Sequence, residues 1–224
     1  MNPGRCGSTL VSTMLAMHSD VLSLQEYMIS LGSLAFMSET ALTGAQFWER
    51  ISGPSSIEEL LRRLDRVPSE IVYTGSIRVS GNGRVAMPRV LGVALSSLGV
   101  DPEDLFAELA AVVPRFPVQD LGAHHRQLFA VLARRHGGRL WVERSGGNCG
   151  YLDRLLPMFP EAGVIYLSRA CVDTVLSMRR HPYFSWPRSV SSSSGCAAST
   201  RSTRTARRTR TVSRTRCGRC YRRT

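Results

Sequence analysis

Gly163-Val-Ile-Tyr-Leu-Ser168, followed by Arg169-Ala-Cys171 and then a helix-patterned run from Val172 to Arg180, is the stretch on which the fold reading turns. A short, continuous apolar run of this kind is the pattern of a strand buried on both faces, as in parallel sheets. Strand, turn and helix in that order imply βαβ wiring. The expected fold class is α/β, a parallel sheet flanked by helices. Arg169 falls at the carboxyl end of the strand, where open α/β sheets bind ligands.

Working outward toward the N-terminus, Tyr151–Phe159 reads as a short amphipathic helix and Arg139–Glu143 as a β-rich run. A helix is expected from about Asp120 to His136, stopped by Gly137-Gly138. Asp101-Pro102-Glu103-Asp104 is a helix start: a capping residue, proline at the first position, and acids near the positive dipole end. That helix should run to about Val113, before Pro114. Ser56–Arg66, with Ile57, Leu60, Leu61 and Leu64 at helical spacing, is another. Residues 28–137 as a whole read as a helical, irregular insertion. Asp20–Glu26 reads as a short extended segment.

Near the N-terminus, Gly4-Arg5-Cys6-Gly7-Ser8-Thr9 leads into a helix with Leu10, Val11, Met14, Leu15 and Met17 apolar. Its near absence of charge suggests burial on most sides. Glycines let the backbone turn tightly. Free N–H groups at a helix start, aided by the dipole, point at phosphate or sulfate oxygens. Ser8 and Thr9 hydroxyls can add hydrogen bonds, and the Arg5 fork can reach terminal or bridging oxygens. The lysine and spacing of G-x-x-x-x-G-K-[ST] are absent, which disfavours a kinase or GTPase.

The net charge of +12 is concentrated at one end. All 29 basic residues are arginine, and ten of them lie beyond residue 188 with no acid among them. The first 188 residues therefore carry 19 basic against 17 acidic side chains, a nearly neutral domain. Ser191–Ser194 is a serine run and Arg201–Thr224 is almost only Arg, Thr, Ser and Cys, so residues 189–224 read as a disordered tail. Ten like charges there would bind any polyanion, with no aromatic platform for specific nucleic-acid recognition. No apolar run approaches the roughly 18 residues of a membrane span, and no signal peptide is evident. A cytoplasmic location is the default. The six cysteines suggest no disulfide framework. Cys217 and Cys220 form a lone C-x-x-C without a second ligand pair, so no metal is expected.

Three stretches together resemble the PAPS-dependent bacterial sulfotransferases. The run from Gly4 to Glu26 is similar to that family's 5′-phosphosulfate loop, Gly-x-x-Arg-Ser-Gly-Ser/Thr-Thr-Leu-Leu. The run from Leu167 to Pro182 resembles its 3′-phosphate motif, Arg-Asp-x-x-Asp-x-x-x-Ser-x. Trp141-Val-Glu-Arg-Ser-Gly-Gly-Asn148, with Tyr151-Leu and Phe159-Pro-Glu-Ala, is similar to its middle block. The resemblance covers about residues 1–188.

It implies a P-loop-type parallel sheet with a helical insertion on the acceptor side. It implies 3′-phosphoadenylyl sulfate (PAPS) as co-substrate, no metal, and transfer of the sulfuryl group to a hydroxyl or amine of a small-molecule or glycan acceptor. Arg5, Cys6, Gly7, Ser8 and Thr9 would hold the 5′-phosphosulfate, and Arg169 and Ser177 the 3′-phosphate. Arg5 would also act catalytically, stabilising charge on the leaving phosphate. Glu26 would be the base that takes the acceptor's proton, with His18 a weaker candidate. Glu143 and Arg144 either line the site or form a structural ion pair. His124 and His125 read as surface residues.

The chain departs from that pattern in three places. The family's phosphate loop follows a buried strand, whereas three residues precede Gly4, so neighbouring strands are expected to keep unpaired edges. Cys6 stands for the usual Ser, and Ala170-Cys171 for the usual Asp-Pro-like pair. The tail after Arg188 resembles nothing in the family. We read it as a frameshifted translation of GC-rich DNA with a misplaced start codon, which translating the neighbouring frames checks. Two other readings stay open: a fragment or pseudoenzyme that binds nucleotide or anion without transfer, and nonspecific polyanion binding through the tail.

Overall fold

The computed structural model describes residues 5–35, 40–55, 72, 73, 75, 79–81 and 84–180. The expected Ser56–Arg66 helix and the 189–224 tail lie outside these. Helix α1 (Ser8–Ala16) leads into strand β1 (Val21–Gln25) and the short helix α2 (Tyr27–Leu31). Then come α3 (Gly44–Ser52) and a small hairpin of β2 (Val79–Gly81) and β3 (Arg84–Ala86). Helices α4 (Pro102–Val112) and α5 (Leu121–Arg135) precede strand β4 (Leu140–Arg144). Helices α6 (Leu152–Met158) and α7 (Cys171–Arg179) complete the described chain. None of the described helices is long and apolar enough to cross a membrane.

The fold is mixed helix and strand, built on an open parallel sheet of two strands, β1 and β4. Register sets Leu22 beside Trp141, Ser23 beside Val142 and Leu24 beside Glu143. Side chains alternate between the faces of a sheet. Ser23 shares a 2.6 Å hydrogen bond with Ser12 of α1, so Ser23 and Val142 face that helix. Trp141 faces the other way, its ring 4.9 Å from Phe129 of α5 and 5.4 Å from Phe159 beyond α6. Helix α1 therefore covers one face, and α5 with α6 the other.

The core is aromatic at its centre. Tyr27, Phe47, Phe129, His124 and His125 are all essentially inaccessible. Phe47 stacks on His124 at 4.7 Å and meets His125 edge-on at 5.2 Å. This corrects the reading of both histidines as surface residues. Adjacent positions on a helix span about 100°, so a wide buried stripe takes both. Burial is compatible with imidazole when the ring is neutral and both nitrogens are paired. His124 Nε2 donates to the Leu42 carbonyl at 2.8 Å, and Nδ1 accepts from Gln119. His125 Nε2 donates to the Ala35 carbonyl at 3.3 Å, which leaves Nδ1 to accept from the Tyr27 hydroxyl at 2.9 Å.

The helix starts expected from sequence stand as expected. Asp101 accepts from the N–H groups of Glu103 and Asp104, ahead of Pro102. Asp120 accepts from Ala123 N–H. Asp101→Ala is expected to lower stability by about 1 kcal/mol in urea unfolding, the usual loss of a capping side chain. Residues 88–100 contain a π-turn at Leu91–Leu95, where Leu95 N–H reaches back five residues to the Val90 carbonyl.

Two expectations change. Gly163–Ser168 has no regular secondary structure and joins no sheet among the described residues. Val164 and Ile165 are 39% and 53% exposed. A strand is fixed by its neighbour's hydrogen bonds, and none of the described strands lies against this one. Helix α1 is not buried on most sides: Leu10, Met14 and Met17 are 65%, 61% and 83% exposed. Its small polar residues Ser8 and Ser12 face inward instead.

Candidate anion-binding site

The Arg5–Thr9 turn and helix α7 meet at one edge of the molecule. Arg5 and Gly7 both have positive φ, at 54° and 84°. Gly7 caps α1 in the left-handed region with no side chain on the helix-start N–H groups. Only glycine takes that conformation without steric penalty. Arg5, held in the same region, swings its side chain to α7, where Nε donates to Ser177 Oγ at 3.2 Å. Arg169 Nη1 lies 3.5 Å from the Arg5 carbonyl. Residues 172 positions apart in one case and 164 in the other are thereby brought into contact.

The resulting cleft, of about 490 Å³, is lined by Arg5, Arg169, Asp173, Leu176, Ser177 and Arg180. Asp173, Leu176, Ser177 and Arg180 follow helical spacing and form one face of α7. Three guanidinium groups against one carboxylate leave a positive excess, and Ser177 supplies a hydroxyl. Such a constellation can grip a tetrahedral anion through charge-assisted hydrogen bonds. Arg180 and Asp173 had no role assigned from sequence. Each lies three or four residues from Leu176 and Ser177, and that spacing was the available signal.

The other loop residues are placed differently. Ser8 is buried and opens onto a second cavity, a groove of about 480 Å³ along β4. Gly7 and Thr9 are exposed and line neither. Cys6 is half-buried and forms no disulfide among the described residues. Burial pushes its pKa up, opposed by Thr174 and by the backbone of Arg169. The structure therefore brings Arg5, Arg169 and Ser177 together and sends Ser8 to the neighbouring groove.

Glu26 closes β1 with φ 54°, a left-handed conformation that is uncommon for a side chain of this size. Its carboxylate pairs with Arg144 and accepts from Gly146 N–H at 3.0 Å. Both partners are mostly covered, with side chains 15% and 19% exposed for Arg144 and Glu26. Arg144 also donates to Gln25 at 2.7 Å, and its Nε is buried with no partner among the described residues. Next to it, Glu143 accepts from Met28 N–H, Ser145 and Asn148. Burial raises the Glu143 pKa despite those donors. Glu26 and Arg144 thus form an ion pair that ties the carboxyl ends of β1 and β4. Arg144→Met is expected to destabilise by about 2 kcal/mol in denaturant unfolding, since it strands a largely covered carboxylate. His18 accepts from Asp20 N–H at 3.1 Å and is exposed.

Among the described residues no group of three or more His, Cys, Asp or Glu could hold a metal ion. Cys217 and Cys220 lie outside them. Compared with known protein families, curated proteins and solved structures, the chain matches none.

Proposed function

We propose that this chain is a PAPS-dependent sulfotransferase of P-loop-type fold, with the Arg5/Arg169/Ser177/Arg180 cleft holding the 3′-phosphate of the nucleotide. The observation that carries the reading is the Arg5–Ser177 hydrogen bond, which sets an early glycine-rich turn against helix α7, with Arg169 beside it. An anion bound there would find three guanidinium groups and a hydroxyl within one cleft. The Gly7–Thr9 turn and its helix-start N–H groups lie beside it and suit the sulfonated end. In the transfer step, an acceptor oxygen or nitrogen bonds to sulfur as the bond from sulfur to the phosphate oxygen breaks. The leaving adenosine 3′,5′-bisphosphate takes the electron pair, and the acceptor's proton goes to a base. Arg5 would also stabilise charge on the leaving phosphate.

Calorimetry with 3′,5′-adenosine bisphosphate on the wild type and on Arg169→Ala tests the reading. The substitution should weaken binding by about 1.5–3 kcal/mol, the scale of a hydrogen bond to a charged group. Equal affinity would remove Arg169 from the site, and no binding to the wild type would end the proposal.

One observation favours a second reading, binding without transfer. The proposed base, Glu26, is engaged by Arg144 and Gly146 N–H rather than open to an acceptor. A labelled-sulfate transfer assay alongside the calorimetry separates the two. Tight nucleotide binding with no transfer to phenol, sugar or amine acceptors selects the binding protein.

A further inference from the structure

The anion cleft carries more than an oxyanion needs. A site for a free oxyanion is built from donors, and Arg5, Arg169, Arg180 and Ser177 are donors. Asp173 and Leu176 line the same cleft and are not. An ionised carboxylate only accepts hydrogen bonds, as phosphate oxygens do, so the two repel unless a donor lies between them. Leu176, 43% exposed, adds an apolar surface that no oxyanion uses.

Helix α7 fixes where these groups stand. Asp173 and Ser177 are four residues apart and share one face, with roughly 5–6 Å between Cβ atoms. Arg5 Nε donates to Ser177 Oγ at 3.2 Å, which marks that end of the face as the phosphate-gripping end. Asp173 stands one turn nearer the helix start, about 6 Å along the axis. It lies in the first turn of α7, where the helix dipole favours an acid. The dipole favours an acid anywhere in that turn and does not require one that lines the cleft.

We infer that Asp173 accepts a hydrogen bond from a ribose 2′-hydroxyl, and that it makes the cleft selective for a ribonucleotide 3′-phosphate over its 2′-deoxy counterpart. The inference rests on the reading of the cleft as the 3′-phosphate site. On ribose the 2′-hydroxyl and the 3′-phosphate occupy adjacent carbons on one face of the ring. With the phosphate on Ser177 and the arginines, the neighbouring hydroxyl is the ligand's donor one step along the same helix face. Leu176 gives the ribose carbons an apolar contact. A carboxylate reads a ribose 2′-hydroxyl in the same way in dinucleotide-binding folds. Asp173 then acts in two directions: it rewards the hydroxyl with a charge-assisted hydrogen bond and disfavours an anion that lacks it.

The test is calorimetry on the full chain with adenosine 3′,5′-bisphosphate and 2′-deoxyadenosine 3′,5′-bisphosphate. The wild type is expected to bind the ribonucleotide about tenfold or more tighter, the scale of a hydrogen bond to a charged group. Asp173→Ala should bring the ratio close to one, by weakening the ribonucleotide and leaving the deoxynucleotide equal or tighter. Asp173→Asn, which keeps an acceptor oxygen, should hold an intermediate ratio and serves if the alanine variant does not fold. A carboxylate that only tunes the arginines or the helix would shift both ligands alike, so a ratio unchanged in both variants would overturn the inference. Equal binding of the two ligands by the wild type would overturn it as well, while leaving the 3′-phosphate reading in place. Binding of neither ligand would end that reading, and the inference with it.

Discussion

Phe129→Ala is expected to lower the unfolding free energy by about 3–5 kcal/mol, the range for deleting a fully buried aromatic ring. Phe129 has no exposed surface and touches four other rings. Tyr27 and Trp141 lie at 5.0 and 4.9 Å, His125 at 6.3 Å, and Phe159 stacks in parallel at 5.8 Å. These neighbours come from α2, β4, α5 itself and the end of α6, so the cavity would sit where both covering helices and the sheet meet. Collapse around it is hindered, because each neighbouring ring is held by partners of its own. Since a domain has about 5–15 kcal/mol in total, the variant should be on the verge of unfolding at 25 °C. Met17→Ala, at the exposed end of α1, is the contrast: a change within about 0.5 kcal/mol. Urea unfolding of both variants checks the pair. Equal midpoints would mean that the ring cluster contributes little.

Acid is expected to weaken the fold from about pH 6.5 downward, through His125. Its pKa is depressed to about 3, first by burial and then by the charges of nearby groups, against the pull of the Ala35 carbonyl. In the unfolded chain the ring titrates near 6.5. Above that value the ring is neutral in both states and contributes no pH dependence. Below it the unfolded chain takes up a proton that the folded chain refuses. Stability then falls by about 1.4 kcal/mol per pH unit until the folded ring also protonates. Between pH 7 and 4.5 the loss should be on the order of 2–3 kcal/mol from this residue. Glu143 works in the opposite sense, because its raised carboxyl takes a proton in the folded state first. The two are separable by following the His125 ring by NMR while measuring urea midpoints. A ring that titrates near 6.5 in the folded protein, with flat stability over that range, would sink the prediction.

Much of the local structure was legible along the chain. The cap at Asp101 was readable because a short polar side chain ahead of an amphipathic run can satisfy helix N–H groups within three residues. β1 and β4 were readable as short β-rich runs. The cleft was half legible: Arg5, Arg169 and Ser177 were chosen from the chain, and they lie together. Ser8, chosen with them, was sent elsewhere by a rotation about α1 that places Ser8 and Ser12 toward the sheet. The engagement of Glu26 was also invisible, because its partner Arg144 is 118 residues away.

Local chemistry was settled by the order of residues alone: where helices begin, which runs are extended, which end of the chain carries the charge, and which side chains could grip an anion. Those depend on hydrogen bonds and sterics within a few residues of one another. Tertiary structure alone decided which β-rich run became a paired strand, that two adjacent histidines are both buried in the core, and that Glu26 is held by a guanidinium. Pairing, burial and charge compensation are properties of neighbours in space, and the same apolar run at Gly163–Ser168 has a sheet role only if another backbone lies within hydrogen-bonding reach.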